Sequence, residues 1–506
     1  PRHPGRAWLG EAARRALTLT TDPPDAANPL GNALAAQADW AGAADAYRAA
    51  LKARADYAEA GANLGVALAA LGRDKEAAAW LRPALAALPA HGPAQGAWGD
   101  LRLKAGDAAG AAKRYTAQLA LHPANPAAWE ALGRARHQLD PADDRPPAVC
   151  WRRAARVAPL LPESWAHWGS AARRAGDRLR TAQAFQTAAI LQPGDAGALS
   201  NLAMARRDLG DAAGAAVLFA RALRVDPADG LSRFNRGLMR LADGDLTGGW
   251  ADYDGRLSAP ALFPPPGFAM PFWRGENLAG RRLLAWREQG LGDELMFAAL
   301  YPLLLERALR EGAAGVVVAC DPRMVGLFAR SLPGADVRSL PDLRRRPPLD
   351  VDFQVAAGSL AGLVAPRLAD SPSGGAGLRP DPELVAGWRR RLAALGPGLK
   401  LGVAWTSPRL DASRAPAYLT LEALAPVLRL PGVMPLSLQY DGRFDEIARF
   451  NASSGGRVVG FPDIDLKDDL ENAAALTACC DLVISVASSV AEMAAQKDTD
   501  EIHRDL

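Results

Sequence analysis

Asn63-Leu-Gly65-Val-Ala-Leu-Ala-Ala-Leu-Gly72-Arg-Asp-Lys-Glu-Ala-Ala-Ala-Trp-Leu-Arg-Pro-Ala-Leu-Ala-Ala-Leu-Pro89 is the stretch on which the fold turns. It holds a small residue in an Ala/Leu run, a glycine, a second Ala/Leu run and a proline. The small residue recurs at Gly31, Gly65, Gly99, Gly133, Gly169, Ala203 and Gly237, in steps of 34 residues with one of 36. A second marker runs in phase at Gly72, Gly106, Asp140, Gly176, Gly210 and Gly244, and a third at Pro89, Pro123, Pro159, Pro193 and Pro227. One period shared by three markers indicates a repeat array. Ala and Leu favour helix, the glycine ends the first helix and the proline ends the second. Tyr47, Tyr115, Trp151, Phe185, Phe219 and Tyr253 follow the small position by sixteen residues, or eighteen in the longer unit, where they plug between helices. The longer unit carries two extra residues in Asp140-Pro-Ala-Asp-Asp-Arg-Pro-Pro.

These units resemble the tetratricopeptide repeat, with about seven of them in residues 28–258 after an N-terminal extension, 1–27. Such arrays stack into an α superhelix with an extended concave surface, and the resemblance implies that it binds an acceptor protein. The position two before the small residue faces the groove in this repeat. Here it is Asn63, Ala97, Ala131, His167, Asn201 and Asn235. In the O-GlcNAc transferases, which this half resembles, a ladder of such asparagines holds peptide backbone. Asn63, Asn201 and Asn235 are therefore the groove candidates, against the plainer reading that Asn is common at this position.

The chain has 506 residues, ample for several cores, and 49% apolar with 23% charged residues excludes wholesale disorder. A net charge of +3 speaks against nucleic acid or an anionic membrane as the main partner. Four scattered cysteines without a CxxC pair exclude a disulfide framework or a zinc finger and fit a reducing cytoplasm. No apolar run is long enough to span a bilayer, and Pro1-Arg-His-Pro has no apolar segment behind it, so neither a membrane span nor a secretory signal is expected. Oligomerisation is left open.

After Ser258 the texture changes. A Pro-rich linker, 259–272, leads to strands at Leu283–Trp286, Gly315–Cys320 and Asp336–Leu340, with a helix expected from about Glu294 to Arg310. This alternation indicates a parallel sheet covered by helices. A second set, 380–495, follows a linker at 368–379 and alternates in the same way, with strands at Lys400–Trp405, Met434–Leu438 and Asp481–Val486. Two Rossmann-like units, 273–367 and 380–495, would enclose a cleft where the carboxyl ends of their strands meet. The polar tail, 496–506, lacks the strand and helix that normally close a second unit, so that unit is expected to be incomplete.

Leu241-Ala-Asp-Gly-Asp-Leu-Thr-Gly-Gly-Trp250-Ala-Asp-Tyr253, Phe272-Trp273-Arg-Gly and Glu288-Gln-Gly-Leu-Gly-Asp293-Glu stand in the order seen in bacterial glycosyltransferases that fuse tetratricopeptide repeats to a GT-B catalytic region. Ser437-Leu-Gln439, Asp469-Leu-Glu-Asn-Ala-Ala-Ala-Leu476 and Cys480-Asp481-Leu-Val-Ile-Ser-Val-Ala-Ser-Ser489 continue the likeness. The catalytic region is similar to the heptosyltransferases and, more distantly, to the O-GlcNAc transferases. Some members of the group modify flagellin in the cytoplasm. The resemblance implies a cytoplasmic, inverting, metal-independent enzyme that takes sugar from a nucleotide-sugar substrate, with no further cofactor, to Ser or Thr of a protein. The alternative is a repeat adaptor with a degenerate cleft.

Inverting transfer needs a base near the acceptor hydroxyl and donors around the leaving phosphate. The resemblance implies that Asp293 is the base, with Glu294 and Glu288 as lesser candidates. The competing reading makes Asp293 a helix N-cap, which Asp does well. Gly290 and Gly292 allow close backbone approach. Ser488 and Ser489 open a helix after the last strand, where the resemblance places the leaving phosphate. Arg409 and Arg414 are candidate phosphate partners, and Gln439 a candidate base or ribose contact. Ala487 and Glu492 depart from the group's usual Asp and His, and an ionised Glu492 would repel phosphate. No histidine lies between residues 168 and 502, so no histidine-based metal cluster is expected. Asp350-Val-Asp352 reads as a solvated turn rather than a metal pair.

Overall fold

The computed structural model describes residues 23–141, 143, 145–365, 377–407 and 417–496. It divides into two compact units, residues 1–211 and 212–506.

Among the described residues the first unit is all helix. The pairs are α1 (Pro23–Ala36) with α2 (Trp40–Ala53), α3 (Ala58–Ala70) with α4 (Asp74–Ala87) and α5 (Gly92–Lys104) with α6 (Ala108–Leu121). Next come α7 (Pro126–Leu139) with α8 (Arg145–Val157), α9 (Pro162–Arg174) with α10 (Arg178–Leu191), and α11 (Ala196–Asp208). The repeat markers do what their chemistry predicts. Gly72, Gly106 and Gly176 take φ of 74°, 81° and 76° where the first helix of a pair ends, a conformation that carries no steric penalty for glycine. Asp107 and Asp177 then cap the following helix, accepting from the Gly110 and Arg180 amides at 2.8 and 3.0 Å. At the small position the helices nearly touch. A Cβ at Gly99 would lie 2.7 Å from Tyr115 Cε1, and one at Gly169 would lie 2.7 Å from Phe185 Cε1.

The second unit begins with α12 (Ala212–Val225), α13 (Gly230–Ala242), α14 (Leu246–Tyr253) and a 3-10 turn, Asp254–Ser258. The sequence placed the boundary at Ser258, but the packing boundary falls inside the repeats. Tyr253, Phe234, Leu238 and Trp250 join the core that holds Leu283, Leu295 and Phe297, so the last repeat is built into the α/β region.

That region contains β1 (Arg282–Trp286), α15 (Leu291–Ala298), α16 (Tyr301–Glu311), β2 (Gly315–Cys320), α17 (Val325–Ser331), β3 (Ala335–Ser339), α18 (Leu340–Arg345), β4 (Phe353–Ala356) and α19 (Leu360–Val364). It continues with α20 (Pro382–Ala394), β5 (Leu399–Ala404), α21 (Leu421–Leu428), β6 (Val433–Ser437), α22 (Phe444–Ser454), α23 (Leu470–Ala478), β7 (Leu482–Ser485) and α24 (Ser489–Ala495). The first sheet is ordered β3-β2-β1-β4 and the second β6-β5-β7, with every pairing parallel. From β1 the chain adds β2 and β3 on one side and then β4 on the other, and from β5 it adds β6 on one side and β7 on the other, so the order reverses at these strands, and a crevice opens beyond their carboxyl ends. The single helix expected over 294–310 is two helices. Pro302 sits in the first turn of α16, where its missing N–H and fixed φ begin a helix rather than continue one.

Candidate functional site

A cleft of about 1000 Å³ lies within the second unit, at the carboxyl ends of both sheets. Trp286 at the end of β1 and Arg287 to Asp293 after it, Leu340 after β3, Leu438 after β6 and Ala487 to Ser489 after β7 line it. Gly292 faces the start of α24, since a Cβ there would lie 3.7 Å from the Ser489 amide nitrogen and 4.0 Å from Glu492 Cγ. Asp293, Gly290, Gly292, Ser488 and Ser489, distant in sequence, therefore share one space.

The three candidate bases separate by their partners. Glu288 is braced by Arg256, whose Nε and Nη2 donate to its two oxygens at 2.7 and 2.6 Å, and it also accepts from the Gly358 amide at 2.7 Å. The Arg256 side chain is fully buried and that of Glu288 is 7% exposed. Both Glu288 oxygens are thus engaged by a buried guanidinium, at the edge of the cleft that Glu288 also lines. Glu294 is fully buried. Its Oε1 accepts from the Asp321 amide at 2.9 Å, and its Oε2 lies 2.6 Å from Arg287 Nε without an aligned N–H. Burial pushes its carboxyl up to about 7, with Arg287 pulling the other way. It does not line the cleft. Asp293 does, half-buried, and its Oδ2 accepts from the Gly290 amide at 3.0 Å. It is not the N-cap. Gly290 holds that place and Asp293 sits in the first turn, reaching back as the third residue of a capping box does.

Other candidates are placed differently from expectation. Gln439 is buried, and its Oε1 accepts from the Trp405 and Thr406 amides while its Nε2 donates to Thr406 O and Asp441 Oδ1. Its amide thus closes the end of β5, with both Nε2 hydrogens committed to Thr406 O and Asp441 Oδ1. Ser488 caps α24 through the Val490 amide at 3.3 Å, and its Oγ lies 3.1 Å from Ser485 Oγ. Arg409 and Arg414 lie outside the described residues. Asp350, 59% exposed at a bend, pairs with Arg282, and Asp352 accepts from the Arg282 amide and from Arg281 at 2.8 Å each, so the solvated segment expected there also anchors the start of β1. Among the described residues no group of three or more His, Cys, Asp or Glu is arranged for a metal.

The groove asparagines also divide. Asn63 donates through Nδ2 to Asn28 Oδ1 and Asn32 Oδ1, each at 3.1 Å, so its donor side is occupied by α1. Asn201 is half-buried on α11, and Asn235 is buried on α13 of the second unit.

Sequence reading missed the residues that hold the cleft loop. Gln289 has φ of 60°, a left-handed backbone costing roughly 1–3 kcal/mol for a residue of this kind, and its Nε2 donates to Tyr253 OH at 2.8 Å. Arg323 ties the first α/β half to the second, donating to Lys467 O at 3.0 Å and to Asp468 Oδ1 at 3.1 Å while pairing with Asp321. One signal in the sequence pointed to Tyr253. Fifteen residues before Tyr47 and Tyr115 stand Asn32 and Asp100, but Leu238 stands there before Tyr253.

Among the described residues no helix is long and apolar enough to cross a membrane. The tetratricopeptide repeat family model matches residues 28–91, 97–143 and 200–255. Among solved structures, Pseudomonas aeruginosa pilF is 18% identical, covering 43% of this chain and 97% of its own with a TM-score of 0.37. YrrB, a tetratricopeptide-repeat protein described as having an unusual peptide-binding site, is 17% identical, covering 37% of this chain and 96% of its own with a TM-score of 0.35. Protein FlbA of Caulobacter vibrioides is 32% identical over 424 residues, 80% of this chain and 70% of FlbA, a span that takes in repeats and α/β region together. The chain belongs to the family of Protein FlbA.

Proposed function

We propose that the chain is an inverting, metal-independent glycosyltransferase of GT-B type that transfers sugar from a nucleotide-sugar to Ser or Thr of a protein recruited by the repeats, with flagellin as the leading acceptor. The observation that carries this reading is the convergence of Asp293 from the first α/β half with Ser488 and Ser489 from the second in one cleft of about 1000 Å³. In the proposed reaction the acceptor oxygen bonds to the anomeric carbon as its bond to the phosphate oxygen breaks. Asp293 takes the hydroxyl proton, and the bonding pair leaves with the nucleotide. Ser489 and the amides at the start of α24 face that leaving group, where fixed dipoles stabilise developing charge. Burial, and then the charge of Asp293, raise the Glu492 carboxyl, which lessens its repulsion of a phosphate.

A thermal-shift screen of UDP-, GDP- and CMP-linked sugars tests this reading, because a ligand bound only to the folded state raises the melting temperature by mass action. Stabilisation by one nucleotide class, together with EDTA-insensitive transfer to a protein, is the expected result. The second reading, an adaptor without catalysis, is favoured by Ala487 and Glu492 in place of the group's Asp and His. It predicts no nucleotide-dependent shift.

A further inference from the structure

We propose that Tyr253 and Arg256, from the last repeat, are positioning residues that hold the Glu288–Asp293 loop in the conformation presenting Asp293 to the cleft. The significance of the proposal for turnover rests on the glycosyl-transfer reading above, but the hold itself does not. Two side chains of the repeat grip two consecutive residues of the loop. Arg256, fully buried, donates to both oxygens of Glu288, to Tyr253 O and Asp254 Oδ1, and to Ser359 Oγ. Its guanidinium carbon lies 4.4 Å from the centre of the Tyr253 ring, and Tyr253 in turn accepts from Gln289 Nε2. The backbone of Gln289 is left-handed, a conformation that non-glycine residues adopt only when their surroundings compel it. Gly290 and Asp293 follow directly, joined by the 3.0 Å bond that closes the first turn of α15.

The two ends of the grip differ in what they do for the fold. Arg256 neutralises a buried carboxylate, so removing it endangers folding. The Tyr253 hydroxyl holds a loop that would relax without it, because release lets residue 289 leave its strained backbone. This separates positioning from mere structural support. Tyr253→Phe keeps the ring and loses the tether, and Gln289→Gly loses the tether while accepting the positive φ without strain.

The experiment uses the full chain and two readouts: amide hydrogen exchange over residues 287–296, and release of nucleotide from a panel of UDP-, GDP- and CMP-linked sugars with flagellin present as the acceptor. Both variants should exchange the loop amides faster and lose about tenfold in kcat, within the range seen when a reacting group is misplaced, with KM changed by less than about twofold. Their melting temperatures should stay within about 3 °C of the wild type, and Gln289→Gly should not fall below it. Unchanged exchange and unchanged kcat in both variants would overturn the positioning role. Faster exchange in both, in a protein whose wild type releases nucleotide from no sugar of the panel, would support the hold and overturn the catalytic reading of the cleft alone.

Discussion

Tyr47 and Tyr115 in the first unit and Tyr253 in the second occupy the same place in their repeats and do different work. The first two bond back into their own helix pair, to Asn32 Oδ1 at 2.8 Å and Asp100 Oδ1 at 2.7 Å. Burial is the main force raising both phenols, with Tyr47 pushed up to about 12 and Tyr115 higher still through its bond to Asp100. Leu238 takes the sequence place of those polar partners before Tyr253, whose hydroxyl takes a hydrogen bond from Gln289, 36 residues ahead. The backbone differs as well. At Gly237 the nearest neighbour of an added Cβ is the Tyr253 nitrogen at 2.7 Å, whereas at Gly31 and Gly99 it is the tyrosine ring. A repeat can thus keep its helices and markers while exchanging one polar residue, and so turn an internal brace into a tether for a neighbouring loop.

Cutting the chain on either side of the last repeat should have the largest effect. Residues 212–506 should unfold cooperatively, whereas residues 259–506, which lack Tyr253 and Arg256, should show no cooperative transition in denaturant. Equal cooperativity of the two fragments would make the last repeat an ordinary one. Next in size is Asp293→Asn. Asn keeps an oxygen for the Gly290 amide, so stability should change by less than about 1 kcal/mol, while turnover falls by roughly 10²–10⁴, the usual contribution of a general base. Undiminished turnover in this variant would leave Asp293 as a helix-capping residue only.

Arg256→Ala should destabilise the intact chain by about 3–5 kcal/mol in equilibrium denaturation, because it strands Glu288 in the interior. A loss below about 1 kcal/mol, the scale of a surface pair, would contradict the buried brace.

The pH dependence of the second unit offers a further test through Glu294. Its folded carboxyl lies near 7, above the ordinary value of 4.5, so the folded state binds the proton more tightly. Its contribution is full below about pH 4.5 and is lost as pH rises through about 7, so stability should decline across that window. Glu294→Gln should flatten the decline, and a slope unaltered by the substitution would show that another group causes it. Smallest is Tyr47→Phe, which should cost about 1 kcal/mol, the net worth of a neutral hydrogen bond, and leave nucleotide release unchanged. A loss of nucleotide release as large as that from Tyr253→Phe would erase the distinction between the two tyrosines.

Periodicity, turn chemistry and strand composition act over a few residues, so the helix pairs, their glycine ends and the positions of β1, β2, β3, β5, β6 and β7 were legible along the chain to within a residue or two. The sequence also singled out the Gly290–Asp293 turn and the Ser488–Ser489 helix start that share the cleft. Short elements without a clear period, such as α18 and α22, escaped it. The partners and burial of the acidic and amide side chains came only with the folded chain. Glu288 and Glu294 stand beside Asp293 in the sequence, but the structure gives them partners from elsewhere, Arg256 for Glu288 and Arg287 and Asp321 for Glu294. That the Gln439 amide closes the end of β5 could not be read from its place in the chain. The physical reason is that a carboxylate's chemistry depends on its burial and on the charges that reach it, and those charges arrive from elements far apart in the chain. The last repeat's membership in the second unit has the same origin, since packing against β1 and α15 is a property of surfaces that meet only after folding.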